Sequence, residues 1–521
     1  MRSSVTALLP SAQDYRGLRK SWRADLLAGL TVGIVALPLA LAFGVSSGVG
    51  AEAGLITAIV AGLVAAVFGG SHVQVSGPTG AMVVVLAPIV VTYGVEAVAL
   101  VALMAGAIII AAGFLKLGRS VSYLPWPVIE GFTAGIGIII FLQQLPGALG
   151  VAVEGHSTNA LLAGWQVLTE AVWPEALMPL AVVAVVAVLM LVLGRWLPAI
   201  PGSFIAIVLV TVVAALAQIP LATIGELPNA LPAPSLPTMS LPLVTALIGP
   251  ALAVAALAAI ESLLSARVAA SLANTGGFNA DRELVGQGLA SIAAGFFGGM
   301  PATGAIARTA VNVRSGAKTR VASIVHAILL LVVVLAAAGI VSHIPLAALA
   351  GVLMVTAARM VSVSTFQRVA SSGKSSALVF LVTAGVTVAF DLVVAVGIGI
   401  AVAAFFALRA LSRSSGAHLE SLPGDPQPED EHIALVRIEG SLIFGAAERL
   451  LDEIASQVGA QVIILRLSTQ QIVDATGANA LAELVAGLER RGATVLIKGV
   501  RPEHRMMLSQ LGVIGALSSD D

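Results

Sequence analysis

Gly77-Pro78-Thr79-Gly80-Ala81 and Pro301-Ala302-Thr303-Gly304-Ala305 share a Thr-Gly-Ala core repeated 224 residues apart. Each opens a short apolar segment, 79–92 and 303–313, too short to cross a hydrocarbon core of about 30 Å alone. If each is a half-helix that starts near the midplane, its free N–H groups and positive dipole end face a shared cavity, an arrangement that holds an anion. Proline before the first turn lacks an N–H that would be orphaned anyway. The hydroxyls of Thr79 and Thr303 can cap a helix or touch a ligand, and Gly80 and Gly304 let the backbone approach closely. One such motif alone is more often a helix kink or packing device; the repeat at matched positions favours a site.

Charged residues inside apolar segments are functional hypotheses by default, because they are expensive there. Glu261 lies mid-segment, and Ser265 follows one helical turn later on the same face. Such a carboxyl can take up and release a proton, ligate a cation such as sodium together with Ser265, or serve as a structural partner for Arg308. Arg308, at the first or second turn of the second half-helix, can add positive field for an anion or neutralise Glu261. Glu130 is embedded too, but outside the repeated pair, which favours a structural or cytoplasm-facing role.

The elements that must position these groups follow from composition. Of 521 residues, 58% are hydrophobic and 11% charged, with 53 glycines and 24 prolines; mean hydropathy is +1.01. Soluble proteins carry roughly 25% charged residues, so most of this chain lives in lipid. Residues 412–521 hold 24 charged positions out of 110, against 31 of 411 before them, which marks a soluble domain after a membrane domain. The absence of cysteine excludes disulfides and thiolate metal sites; no metal cluster is expected. The charge balance excludes a nucleic-acid binder.

Apolar runs near 25–44, 53–70, 79–92, 96–115, 121–141, 177–195, 202–218, 244–267, 283–298, 303–313, 319–340, 343–358, 376–391 and 392–411 give fourteen segments, with an amphipathic or re-entrant stretch at 158–173. The first is read as a retained span, not a cleaved signal. An offset of 224 lays 25–44 over 249–268 and divides fourteen spans into seven plus seven. An odd number per repeat inverts the second half, the plan of many secondary transporters. With the N-terminus inside, Lys116, Arg119, Arg195, Arg267, Arg282, Arg314, Lys318, Arg320, Arg359, Arg368, Lys374 and Arg409 all fall on the cytoplasmic side. The outer loops carry Glu52, Glu96, Glu154, Glu170, Glu175, Glu226 and Asp391. Both termini are thus expected in the cytoplasm, the protein in the cytoplasmic membrane.

The domain plan is an N-terminal stretch 1–24, a membrane domain 25–411, a polar linker 412–431 and a C-terminal domain 432–521. The last alternates strand-like (432–438, 461–467, 494–500) and helix-like (446–457, 475–491, 502–511) patterns, a small α/β layer domain with nothing resembling an enzyme site.

The same motifs resemble the sulfate permease (SulP) family of anion transporters. They are Ala28-Gly29-Leu30-Thr31-Val32-Gly33-Ile34-Val35-Ala36-Leu37-Pro38, Ser76-Gly77-Pro78-Thr79, Glu261-Ser262-Leu263-Leu264 and the run from Pro301 through Arg308, with Asn312 and Ser315-Gly316-Ala317-Lys318-Thr319. The run from Ile472 to Leu481 resembles a STAS domain. The resemblance implies an α-helical polytopic fold of seven plus seven inverted spans, a core of segments 1–4 and 8–11, a gate of 5–7 and 12–14, and a homodimer. It implies an anion held between the third and tenth helices by Thr79, Gly80 and Ala81 and by Ala305, Ile306 and Ala307, with Phe43 closing the pocket. Family members with Asp and Thr at the positions of Glu261 and Ser265 are sodium-coupled bicarbonate carriers; Glu instead resembles proton-coupled members. Members with Ser at the positions of Ala305 and Ala307 contact the ligand through hydroxyls, so backbone donors must do more here. Asp474-Ala475-Thr476-Gly477 resembles the phosphorylated turn of STAS anti-sigma-factor antagonists, with Thr476 at the acceptor position, although such a turn is more often an ordinary helix N-cap.

The expectation is a non-enzymatic secondary carrier of a small anion (sulfate, bicarbonate or dicarboxylate), without cofactor, working by an elevator-like movement and coupled to protons in preference to sodium. A sodium-coupled symporter, an anion channel and a membrane-anchored signalling protein are the rivals. No Gly-x-x-x-x-Gly-Lys-Ser/Thr loop supports an ATP-driven pump.

Overall fold

The computed structural model describes residues 8–119, 125–151, 157, 159–197, 200–273, 276–390, 392–413, 416–422, 427–442, 460–468 and 470–517. The chain divides into two compact units, Met1–Ile400 and Ala401–Asp521.

All fourteen apolar segments form helices, because inside lipid a backbone must satisfy its own hydrogen bonds. They are α1 (Leu18–Ser46), α2 (Ala51–Phe68), α3 (Gly80–Tyr93), α4 (Glu96–Phe114), α5 (Trp126–Gln143), α6 (Leu177–Trp196), α7 (Gly202–Leu216), α8 (Leu241–Leu272), α9 (Ala280–Phe296), α10 (Ile306–Arg314), α11 (Val321–Val341), α12 (Leu346–Met360), α13 (Lys374–Ala389) and α14 (Leu392–Arg413). Among the described residues, eight helices are long and apolar enough to cross a membrane. At 14 and 9 residues, α3 and α10 are the two short ones the motifs pointed to. The amphipathic stretch forms a helix at Ala160–Glu170.

Two sets of helices can be told apart by their packing. In one, α4 lies on α9 and α8, α2 on α9, α1 on α11 and α10 on α8; in the other, α5 lies on α13 and α12, and α6 on α12 and α7. These are the expected core and gate. The α4–α9 contact is backbone to backbone: a Cβ on Gly106 would come within 2.6 Å of the Gly288 carbonyl, and one on Gly288 within 2.6 Å of the Gly106 carbonyl. Small residues of this kind let membrane helices approach where lipid offers no hydrophobic drive.

The first helix begins at Leu18, before the position 25 expected from hydropathy. Asp25 is not a boundary residue. It is fully buried and accepts from the amides of Lys318 and Thr319 at 2.7 and 2.9 Å and from the hydroxyls of Thr319 and Ser21 at 2.8 Å each. A carboxylate so saturated with donors is tolerated inside the protein.

The second unit is built on strands β1 (Gly416–Glu420), β2 (Ile433–Leu442), β3 (Val462–Arg466), β4 (Gln470–Val473) and β5 (Thr494–Lys498), with α15 (Ala475–Arg490) and α16 (Pro502–Gln510). The order is β1-β2-β3-β5; β1 is antiparallel to β2, the other pairs are parallel, and β4 pairs with the far end of β2. Leu481, Leu484, Val485 and Leu488 of α15 join Ile438, Ile463, Leu465 and Val495 in one core. The linker expected at 412–431 is therefore only partly a tether, because Gly416–Glu420 is a sheet strand with Ala417 buried. Its polar neighbours concealed that alternation. The helix expected at 446–457 lies outside the described residues, as do Glu154 and Asp391.

At one end of the membrane unit the N-terminal segment is pinned by charge. Arg282 at the start of α9 donates to both carboxylate oxygens of Asp14 at 2.9 and 2.8 Å, and Arg320 before α11 approaches Asp14 at 3.6 Å. Burial alone would raise the Asp14 carboxyl, but the Arg282 hydrogen bonds, the Ser11 amide and the two guanidinium charges outweigh it and hold the group at about 2, against an ordinary 3.8. Since the folded value lies below the unfolded one, the stabilisation is complete above about pH 4 and is lost as pH falls toward 2. Asp14→Asn strands two buried guanidinium groups and is expected to cost about 3–5 kcal/mol. Thermal unfolding in detergent should show that deficit at neutral pH and a shrinking difference from wild type in acid.

Candidate functional site

The two half-helices are brought together by a short antiparallel crossing. Ser76–Gly77 (strand βA) pairs with Thr303–Gly304 (strand βB), Ser76 opposite Gly304 and Gly77 opposite Thr303. Helix α3 begins at Gly80, and α10 begins at Ile306. All four crossing residues are buried in protein, the condition under which non-helical backbone is tolerated at membrane depth.

Side chains from neighbouring helices take up the backbone groups that the missing helix leaves. Glu283 of α9 accepts from the amides of Gly70 and Ser71 at 2.7 and 3.0 Å. Asn312 donates to the Val73 carbonyl at 2.8 Å, Ser323 to the Gln74 carbonyl at 2.7 Å, and Thr309 accepts from the Val75 amide at 3.0 Å. On the second arm, Thr57 accepts from the Met300 amide at 2.8 Å, Ser291 from the Ala302 amide at 3.2 Å, and Ser262 from the Gly304 amide at 3.0 Å.

At the crossing, Thr79 and Thr303, 224 positions apart, bring their hydroxyl oxygens to 3.2 Å. Both donate to the same carboxylate oxygen, Glu261 Oε2, at 2.8 and 2.7 Å. The threonines therefore do not cap their helices. The amides of Gly80, Ala81 and Met82 on α3, and of Ile306, Ala307 and Arg308 on α10, have no backbone acceptor among the described residues. Two sets of aligned donors thus open beside one carboxylate, the geometry that suits an anion.

Arg308 is 2% exposed and donates through one Nη to the Pro78 carbonyl, while its other, Nη1, is buried without a hydrogen-bond partner among the described residues. No ion pair joins it to Glu261 among the described residues, so the structural pairing considered for the two is replaced by a hydroxyl-bound carboxylate and a carbonyl-bound guanidinium. A Cβ on Gly77 would sit 2.9 Å from Nη1, so glycine there is what leaves room for the arginine. Phe43 packs beside Gly80 together with Ile140 of α5. Ala305 is buried, Ile306 partly so and Ala307 exposed.

Ser265 is not turned to Glu261. Its hydroxyl meets Thr309 at 3.1 Å, on the side that braces the Val75 arm. Glu130 is bound by Trp126 of its own helix at 2.9 Å, in keeping with a role away from the site. Asp474 caps α15 by accepting from the Gly477 amide at 2.7 Å, and Thr476 is exposed in the first turn. Sequence reasoning missed Ser262, Thr309 and Ile140 as site residues. The first stands inside the quoted Glu261 motif and the second beside Arg308; Ile140, in an unbroken apolar run, gives no signal.

Residues 22–383 match the Sulfate permease family and residues 427–516 match the STAS domain. The YvdB protein of Bacillus subtilis is 35% identical over 507 residues, covering 95% of this chain and 94% of its own. The bicarbonate transporter BicA of Synechocystis is 32% identical over 518 residues, covering 95% and 91%. The solved transmembrane domain of a cyanobacterial BicA superposes with a TM-score of 0.68 at 33% identity, over 72% of this chain and 98% of that one. The structure of SLC26A9 gives 0.84 over 99% and 91%, at 19% identity, a likeness of fold.

Thr79→Val and Thr303→Val each remove one donor from Glu261. Each is expected to cost about 1–3 kcal/mol in thermal unfolding, and because both hydroxyls serve one oxygen, the double variant should deviate from additivity by about 0.5 kcal/mol or more.

Proposed function

We propose that this chain, which belongs to the sulfate permease family and carries a C-terminal STAS domain, is a proton-coupled secondary carrier of small anions across the cytoplasmic membrane. The observation that carries this reading is the single oxygen of Glu261 accepting from both Thr79 and Thr303 where the two half-helices meet. With Glu261 ionised, both hydroxyls are committed to it and its charge offsets Arg308. Protonation makes a carboxyl oxygen a donor, releases a threonine hydroxyl, and leaves Arg308 as the uncompensated charge at the helix ends. An anion then gains a hydroxyl donor and a stronger positive field when the proton arrives, which links the two occupancies.

The anion sits against the amides of Gly80, Ala81, Ile306 and Ala307, with Phe43 and Ile140 as its apolar wall. Donors of this kind read charge and size, so sulfate, bicarbonate and dicarboxylates all belong to the class. Nothing in this reading asks for a cofactor or a chemical step. The two helix sets support an elevator-like movement of α1–α4 and α8–α11 against the remainder, in a homodimer. The arginine-rich loops support a cytoplasmic position for both termini, where a phosphate on exposed Thr476 would join the α15 N-terminus and regulate the STAS domain.

A second reading has an observation of its own. Glu261 Oε2 and the two threonine hydroxyls are three converging oxygens, the beginning of a sodium cage, and a bicarbonate transporter is among the similar proteins. Against it, Ser265 is turned to Thr309.

Uptake of radiolabelled sulfate, bicarbonate and fumarate into proteoliposomes separates the two. An inward gradient of one pH unit should drive about tenfold accumulation of the true substrate for one coupled proton, and Glu261→Gln should abolish accumulation while leaving downhill exchange. Accumulation driven by sodium alone would overturn the proton reading.

A further inference from the structure

A separate cavity of about 670 Å³ opens between the two helix sets, away from the half-helix crossing. On one side stand Thr31 of α1 and Arg314 with Ser315 at the C-terminal end of α10; on the other stand Ser203 of α7 and Arg359 in the last turn of α12. Arg314 lies eight residues beyond Ile306, roughly 12 Å along a helix of 1.5 Å rise, so this space is distinct from the donors at the N-terminal end of α10.

Its electrostatics are one-sided. The lining holds two arginines and no acid, and neither guanidinium forms an ion pair among the described residues. Arg359 Nη2 reaches across toward α6, 3.5 Å from where a Cβ on Gly194 would stand. Both arginines are exposed and line the cavity. A helix C-terminus repels anions, and Arg314 reverses the sign there. Two unpaired guanidinium groups with three hydroxyls suit an oxyanion rich in acceptors.

We propose that this cavity is a second anion site, a staging point at which a dianion such as sulfate bridges Arg314 of the core and Arg359 of the gate. Because the two arginines belong to different helix sets, the bridge forms in one arrangement of core and gate and breaks when they shift. The site therefore concentrates anions at this mouth and favours the open arrangement. Its role rests on the transporter reading, but its binding does not.

The chain has no cysteine, so Ser203→Cys or Ser315→Cys supplies a single reporter thiol. Its labelling by the anionic sulfonatoethyl and the cationic trimethylammonioethyl methanethiosulfonates is compared in the full-length protein. The anionic reagent is expected to react faster by about tenfold or more, the ratio to fall several-fold with Arg359→Gln or Arg314→Gln, and added sulfate to protect the thiol only when both arginines are present. Arg359→Lys, which keeps the charge, should retain the ratio and so separates field from fold. A ratio indifferent to either Gln substitution, or sulfate protection that survives the double Gln variant, overturns the proposal. Uptake measured on the same preparations keeps the two readings apart: protection without transport defeats the carrier and leaves this site standing, and transport without protection does the reverse.

Discussion

Unpaired backbone inside a bilayer is the constraint on which this membrane domain depends. Lipid offers no hydrogen bonds, so a chain that abandons the helix at mid-depth must find a partner for every exposed N–H and C=O. Residues 70–78 and 299–305 do abandon it, and the surrounding helices answer with Glu283, Asn312, Thr309, Ser323, Thr57, Ser291 and Ser262. Among the described residues the amides in the first turns of α3 and α10 keep no backbone acceptor, where aligned donors are useful. The polar residues in otherwise apolar helices are thus the scaffold of two helix ends.

The same logic explains the glycines that matter. Gly77 makes room for the Arg308 guanidinium and Gly106 and Gly288 bring α4 and α9 to backbone contact. A side chain at any of these positions would push apart elements whose spacing fixes the site. Packing here is set by what is absent from Cα as much as by what is present.

Charge is distributed with equal economy. Asp25 and Asp14 are saturated by amides, hydroxyls or arginines, and they tie α1 and the N-terminal segment to the loop before α11 and the start of α9. Glu261 differs, because among the described residues its oxygen is held by two hydroxyls that can turn and Arg308 keeps one nitrogen without a partner. Groups held by rotatable donors are the ones able to change partners when a ligand or a proton arrives.

By itself the sequence determined the membrane class, the fourteen segments, the 7+7 repeat and the Thr79, Thr303, Glu261 and Arg308 constellation, since hydropathy, charge asymmetry and repeated motifs are local signals that survive in one dimension. It also contained, without displaying it, the strand at Gly416–Glu420, whose alternation is hidden among linker-like neighbours. Tertiary structure decided what each group touches. It sent Ser265 to Thr309, bound Arg308 to a carbonyl, buried Asp25 under the loop before α11, and set Ile140 of one helix set against Gly80 of the other. Those choices depend on which of several donors lies within about 3 Å once helices hundreds of residues apart have packed, and no spacing along the chain encodes that distance.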